Sequence, residues 1–180
     1  EGAAPEEPFV TKSTPGTYGG TLVFSLISDP KTWNPITSSE TSTTAITNGP
    51  VYVPLFGFDN IAQHIDDGLT TSHESTPDGL VWTIRLTKGV KWSDGQPFTA
   101  DDVKFTFDVA FDPKVDNSIK SAFEQSDGSL PVVEIVDPQT IKFTLKEPSA
   151  LFLDNVGSTY LVPKHKWEAN WKAGNFMTTL

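Results

Sequence analysis

The chain contains no cysteine, so disulfide bonds and thiol chemistry are excluded. Its three histidines share no metal-ligand spacing such as HxxxH. No G-x-S-x-G nucleophile motif and no phosphate-binding loop with its lysine is present. No apolar run is long enough to span a membrane. These absences argue against an enzyme, a metal site and a bound cofactor, and they favour a binding function.

The net charge and the chain length further restrict the kinds of protein that this sequence can encode. The net charge is −10 and the basic residues are scattered, so the sequence carries no electrostatic footprint for nucleic acid. The acidity would mildly favour cationic ligands at long range, although solubility alone also explains it. With 180 residues, the chain can bury one genuine core, as one domain or a domain and a half.

Residues 80–111, LVWTIRLTKGVKWSDGQPFTADDVKFTFDVAF, carry the clearest local pattern. Apolar residues at every second position of 80–86 predict a half-buried strand. Gly95 then suits a tight turn, and Thr99 is a helix N-cap whose hydroxyl can accept the Asp102 N–H. Asp101 and Asp102 are interpreted as first-turn helix carboxylates rather than an acid–base pair. Apolar residues at helical spacing predict one buried helix face, formed by Val103, Phe107, Ala110 and Phe111.

The remaining elements follow from the same rules. Residues 21–27 alternate as a strand. Residues 41–55 are ambiguous, because Gly49-Pro50 and Pro54 leave room only for an interrupted or late-starting helix. A hairpin over 132–136 and 140–145 turns at Asp137-Pro138. Short helices are predicted over 150–156 and 164–172. Strands and helices mix without strict βαβ alternation, which predicts an α+β fold.

The 80–111 segment resembles the signature of the extracellular solute-binding proteins of family 5, the oligopeptide, dipeptide and nickel type. Further similar motifs follow in family order at 19–22 (GGTL), 29–35 (DPKTWNP), 77–79 (PDG), 132–145 (VVEIVDPQTIKFTL) and 162–165 (VPKH). Residues 68–75 do not match the family's L-A-E-S-W segment, and family members are much longer. The resemblance implies that residues 21–180 form the N-terminal portion of lobe I of a two-lobed, periplasmic-binding-protein type II-like fold. The second lobe would be absent, and residues 1–20 would be a flexible N-terminal tether.

The resemblance also implies a function. The chain would be an N-terminal fragment of the substrate-binding component of an ABC importer, located in the periplasm or outside the cell. Peptides are the first expectation for the ligand, with nickel chelates and oligosaccharides left open. The expected partners are the ligand and the permease subunits. An upstream lipid anchor would explain the tether, and a fragment lacking partner strands would self-associate.

Two polar segments are the candidate ligand contacts, because the family places ligand-contacting groups after the first strand and after the signature helix. Hydroxyls and backbone groups there suit peptide-like hydrogen bonding, and Glu40 could attract a ligand amine. The candidate residues are Trp33, Ser38, Ser39, Glu40, Thr41, Asn117, Ser118 and Ile119.

The tryptophans leave an alternative open, a carbohydrate-binding module of a secreted enzyme. Exposed indoles could stack on sugar rings. However, Trp82 alternates with core residues, and Trp167 and Trp171 lie on one helix face, so packing is the preferred interpretation for them. Trp33 follows the first predicted strand and is the candidate for a ligand contact.

Overall fold

The computed structural model describes residues 19–178, apart from positions 22, 24, 50, 60–63 and 67. A short 3₁₀ helix, Phe176–Thr178, ends the described part of the chain. The helices and strands before it are, in order, α1 (Thr41–Thr47), β1 (Gly57–Asp59), β2 (His64–Asp66), β3 (Thr70–Ser75), β4 (Val81–Leu86), α2 (Ala100–Phe111), α3 (Ile119–Phe123), β5 (Val132–Asp137), β6 (Thr140–Thr144), α4 (Phe152–Gly157) and α5 (Lys164–Lys172). Across these described residues, none of the helices combines the length and the apolar character needed to cross a bilayer.

A four-stranded antiparallel sheet in the order β3-β4-β6-β5 organises the fold. Its long-range step is the β4–β6 pairing, in which Ile84 lies opposite Ile141. Both isoleucines are fully buried, whereas the opposite face carries the exposed ion pairs Arg85–Glu74 and Lys142–Glu134. An antiparallel sheet covered on one face alternates in this way. The α+β prediction is confirmed.

Helix α2 is buried on two sides. Ala100, Val103 and Phe107 belong to the first core cluster, which packs between the sheet and α2. The second core cluster lies on the other side of α2 and consists of Ile36, Phe105, Val109, Ala110, Val115, Val162, Trp167 and Phe176. The prediction of a single buried face is therefore incomplete, because the aromatic and β-branched residues between its positions are buried as well.

Most local predictions are confirmed. The strand over 80–86, the turn at Gly95 (φ +86°), the β5–β6 hairpin, and the helices α4 and α5 are all present. Helix α1 is short and ends before the prolines, as expected for an interrupted helix.

The strand predicted over 21–27 is wrong for the described part of that segment. Residues 21, 23 and 25–27 have no strand structure, and Val23 and Ile27 are 87% and 95% exposed. Leu22 and Phe24 lie outside the described residues. Alternation alone cannot form a strand, because the backbone N–H and C=O groups need a neighbouring strand, and no described strand pairs with this segment.

Candidate ligand-binding site

The first predicted ligand segment lies in a loop, residues 28–43, that is closed at its base. The Ser28 hydroxyl donates to the Ser42 hydroxyl at 3.0 Å. The Lys31 N–H donates to Glu40 Oε1 at 3.1 Å, and the Thr43 hydroxyl donates to the same oxygen. The bond from Thr43, followed by that from Lys31, holds the pKa of Glu40 below its usual value. Glu40 therefore stays ionised and braces the loop; its attraction of a ligand amine stays a prediction.

The other predicted residues of this loop differ in accessibility. Trp33 is 45% exposed, and Ser39 and Thr41 are also at the surface. The Ser38 hydroxyl is enclosed and has no hydrogen-bond partner among the described residues. A ligand could reach that hydroxyl only after the loop had moved.

The second predicted segment connects α2 to α3. The Asn117 side chain donates to the carbonyls of Ala110 and Val115, at 3.0 and 2.9 Å. Its Oδ1 accepts the N–H groups of Ile119 and Lys120. These bonds satisfy orphan backbone groups where α2 ends and α3 begins, so they give Asn117 a structural role.

The two segments border the same part of the core. Ile36 is a member of the second core cluster, and Ile119 packs against that cluster's edge. Ser118 is exposed beside Ile119. Both candidate segments thus lie beside the second core cluster, and their contact with a ligand stays a prediction.

The start of α2 confirms the predicted cap and adds a buried carboxylate. The Thr99 hydroxyl accepts the Asp101 N–H at 3.3 Å. Asp102 is only 4% exposed, and its carboxylate accepts the Thr99 N–H at 3.0 Å, completing a capping box. The same carboxylate accepts the Trp92 indole N–H at 3.2 Å and the Lys164 N–H at 2.9 Å. Sequence reasoning placed Asp102 in the first turn but missed these two tertiary bonds.

Residues 162–166 are fastened to the signature segment by further polar contacts, which we call the α2–α5 joint. The Val162 N–H donates to the buried Thr106 hydroxyl at 3.1 Å. Lys164 Nζ lies 2.7 Å from Asp101, and this bond raises the pKa of Lys164. The joint unites two motifs separated by about 60 residues of chain and explains, in structural terms, why both are present.

His165 adds a further bond to this joint. Its Nε2 lies 2.8 Å from Asp94 Oδ2, and Lys166 Nζ lies 3.1 Å from the same oxygen. The bond to His165, followed by that to Lys166, holds the pKa of Asp94 well below its usual range. Asp94 belongs to the turn that precedes α2, so the joint also holds this turn.

Four of the five tryptophans have structural partners. Trp82 packs against Phe152, with ring centroids 5.5 Å apart, and Trp92 donates to Asp102. Trp167 is only 3% exposed, and Trp171 donates to Asp112 at 2.8 Å. The packing interpretation of Trp82, Trp167 and Trp171 is confirmed. These four indoles therefore offer no sugar-stacking platform.

Within the described ranges, no group of three or more histidine and acidic side chains is placed to hold a metal ion. Surface clefts are present between α3 and α4, beside the β5–β6 turn and between α2 and α5. None of these three clefts is lined by a predicted ligand residue.

Comparison with known proteins defines the class. The model for the middle part of the bacterial extracellular solute-binding proteins of family 5 matches residues 64–179, and the chain belongs to that family. A protein of Brucella ovis, provisionally named an ABC transporter peptide-binding protein, is 35% identical over 133 residues. That match covers 74% of this chain and 24% of the relative.

Solved structures agree with this assignment. The ABC transporter substrate-binding protein CtaP of Listeria monocytogenes superposes with a TM-score of 0.71 and 34% identity, over 79% of this chain and 28% of that one. NikZ of Campylobacter jejuni, solved with Ni(L-His), gives 0.68 and 33%, over 84% and 28%. The fold is thus that of the type II-like binding proteins, and the chain spans about a quarter of the length of the relatives it matches.

Proposed function

We propose that this chain forms part of the first lobe of a substrate-binding protein that captures peptides for an ABC importer. Residues 21–180 would be the lobe portion, and residues 1–20 would be a tether. The protein would act in the periplasm or outside the cell and would deliver its ligand to permease subunits. An upstream lipid anchor is part of the same proposal.

One observation carries the proposal: the family signature is folded as strand β4, a tight turn at Gly95 and the capped helix α2, which the α2–α5 joint holds against residues 162–166. This arrangement lies within the residues that match the family. It turns the signature into a scaffold rather than a reactive site. The ligand contacts are then sought in the loops that the scaffold holds.

Peptides are the preferred ligand because the exposed candidate residues Ser39, Thr41 and Ser118 are uncharged and can form hydrogen bonds. Ser39, Thr41 and Ser118 are exposed and offer hydroxyls and backbone groups to peptide units. Trp33 adds an exposed apolar surface for a ligand side chain. The name of the Brucella relative supports this choice, while the nickel complex of NikZ keeps a nickel chelate as the competing outcome.

The test is calorimetry on the complete gene product and on the 180-residue chain, with trialanine and Ni(II)–L-histidine as probes. In a two-lobed receptor, the ligand is buried from both sides. We expect trialanine to bind the complete product, and the 180-residue chain to bind it at least about 100-fold more weakly, since every 1.4 kcal/mol is tenfold in affinity.

Three other outcomes of these binding experiments would contradict the proposed function. Binding of the nickel chelate alone would replace the peptide assignment. Equal trialanine affinity of the two proteins would contradict the half-cleft and indicate a self-contained module. A tryptophan fluorescence response of the 180-residue chain to cellohexaose would favour a carbohydrate-binding module instead.

A further inference from the structure

Asn34 is fully enclosed within the loop that carries the proposed ligand residues. It is 0% exposed. Its Nδ2 donates to the Phe176 carbonyl at 3.0 Å, and its Oδ1 accepts the Ile36 N–H at 3.0 Å. Because one partner is an acceptor and the other a donor, only one orientation of the amide satisfies both.

This amide joins two distant parts of the chain. Asn34 and Phe176 are 142 positions apart, and their bond is buried. Ile36 and Phe176 both belong to the second core cluster, at 2% and 1% exposure. The Asn34 carbonyl also accepts the Ser38 N–H at 3.1 Å, which sets the turn through the candidate residues. One side chain thus fixes the loop both locally and against the 3₁₀ helix.

We propose that Asn34 is a positioning residue for ligand binding, because it holds the loop that presents Trp33 and Ser39 in its binding conformation. The inference rests on the proposed function. A loop that is already ordered loses less conformational entropy when it binds, so its fixation increases affinity. Without the amide, the loop would keep its closed base at Ser28–Ser42 and the burial of Ile36, but it would lose its hydrogen bond to the Phe176 carbonyl.

The test uses chains labelled with 5-fluorotryptophan and observed by ¹⁹F NMR without ligand. The Trp33 line, assigned with Trp33→Phe, reports on the loop, and the Trp167 line reports on Phe176, whose ring lies 5.3 Å away. In Asn34→Ala, we expect the Trp33 line to shift and broaden. Asn155→Ala is the control for the chemical change, because Asn155, in α4, also donates to a backbone carbonyl, that of Ala122, although this bond is exposed.

A second variant guards against simple unfolding. Asn34→Ser adds no charge: its hydroxyl can still accept the Ile36 N–H two residues on, but it is too short to donate to the Phe176 carbonyl. We expect the same change of the Trp33 line in this variant, with far-UV circular dichroism like that of the unmodified chain. An unchanged Trp33 line in both variants, or an equal change in Asn155→Ala, would overturn the proposal.

The ligand readout uses the complete gene product and trialanine. We expect the dissociation constant to rise about tenfold in Asn34→Ser, the range for loss of one buried hydrogen bond, and to be unchanged in Asn155→Ala. Equal affinities of the two variants would overturn the positioning role. If the unmodified protein binds no trialanine, the proposed function fails, and the ¹⁹F lines still decide whether Asn34 fixes the loop.

Discussion

Replacement of Asp102 by asparagine should remove much of the stability of the chain. Its buried carboxylate accepts hydrogen bonds from Trp92, Thr99 and Lys164. A hydrogen bond to a charged group contributes about 1.5–3 kcal/mol, but the carboxylate also loses hydration on burial, which offsets part of the sum. An asparagine would keep one acceptor oxygen and would turn an N–H₂ group toward backbone N–H donors. We expect the free energy of unfolding to fall by about 2–4 kcal/mol.

The control for this change is its neighbour. Asp101→Asn makes the same chemical replacement one residue earlier, where the side chain is 53% exposed and pairs only with a partly exposed lysine. It should cost less than about 1 kcal/mol, as exposed ion pairs do. Thr99→Ala, which removes the cap hydroxyl, should cost roughly 1 kcal/mol. Urea unfolding followed by tryptophan fluorescence gives all three values. Similar losses in Asp102→Asn and Asp101→Asn would refute the role assigned to the buried carboxylate.

Three further outcomes are expected. Trp82→Ala should lower the free energy of unfolding by about 2–4 kcal/mol in the same urea assay. This is somewhat less than for a fully buried tryptophan, because Trp82 is only half-buried. A loss below about 1 kcal/mol would contradict the packing role. The bond to His165 lowers the pKa of Asp94 in the folded chain. The ionised Asp94 carboxylate therefore stabilises the fold above its unfolded pKa of about 4, and this stabilisation is lost as the pH falls. Asp94→Asn should then flatten the decrease in urea midpoint between pH 5 and pH 2.5, and an unaltered decrease would count against this. Sedimentation velocity should show self-association of the chain that weakens in Val136→Lys, on the exposed β5 edge, and not in Thr71→Lys, on the opposite edge; a chain that is monomeric at millimolar concentration would exclude it.

The sequence predicted those elements whose signals are local. The β5–β6 hairpin has its turn at Asp137-Pro138, and α2 has its cap at Thr99, so the information lies within a few residues of each. Strand β3 was missed because TTSHES is polar on both faces, as an edge strand can be, and only its pairing with β4 makes it a strand. Residues 21–27 show the opposite case, an apolar alternation without a described partner.

The candidate site was less predictable than the fold. The resemblance indicated the two loops. It could not show that the Asn117 side chain is hydrogen-bonded to backbone groups, or that the Ser38 hydroxyl is enclosed. Asn34 lies in the DPKTWNP motif at 29–35, but its hydrogen-bond partner, the Phe176 carbonyl, lies 142 positions away. Such long-range bonds leave no periodic trace in the sequence. A polar residue between apolar neighbours, as Asn34 is between Trp33 and Pro35, is the one local hint of burial.

The double burial of α2 has a consequence for changes in chain length. Adding or deleting one residue rotates everything beyond it by about 100° around the helix axis. Phe105 and Phe107, which pack in opposite clusters, would then both leave their places. A helix that is buried on one face only can absorb such a rotation, whereas the exposed stripe of α2 is narrow and is formed by Asp101, Lys104 and Asp108. Length variation should therefore be tolerated in the exposed turn at Ser126–Gly128 and excluded from Ala100–Phe111, so that a scan of single-residue insertions would trace the outline of α2.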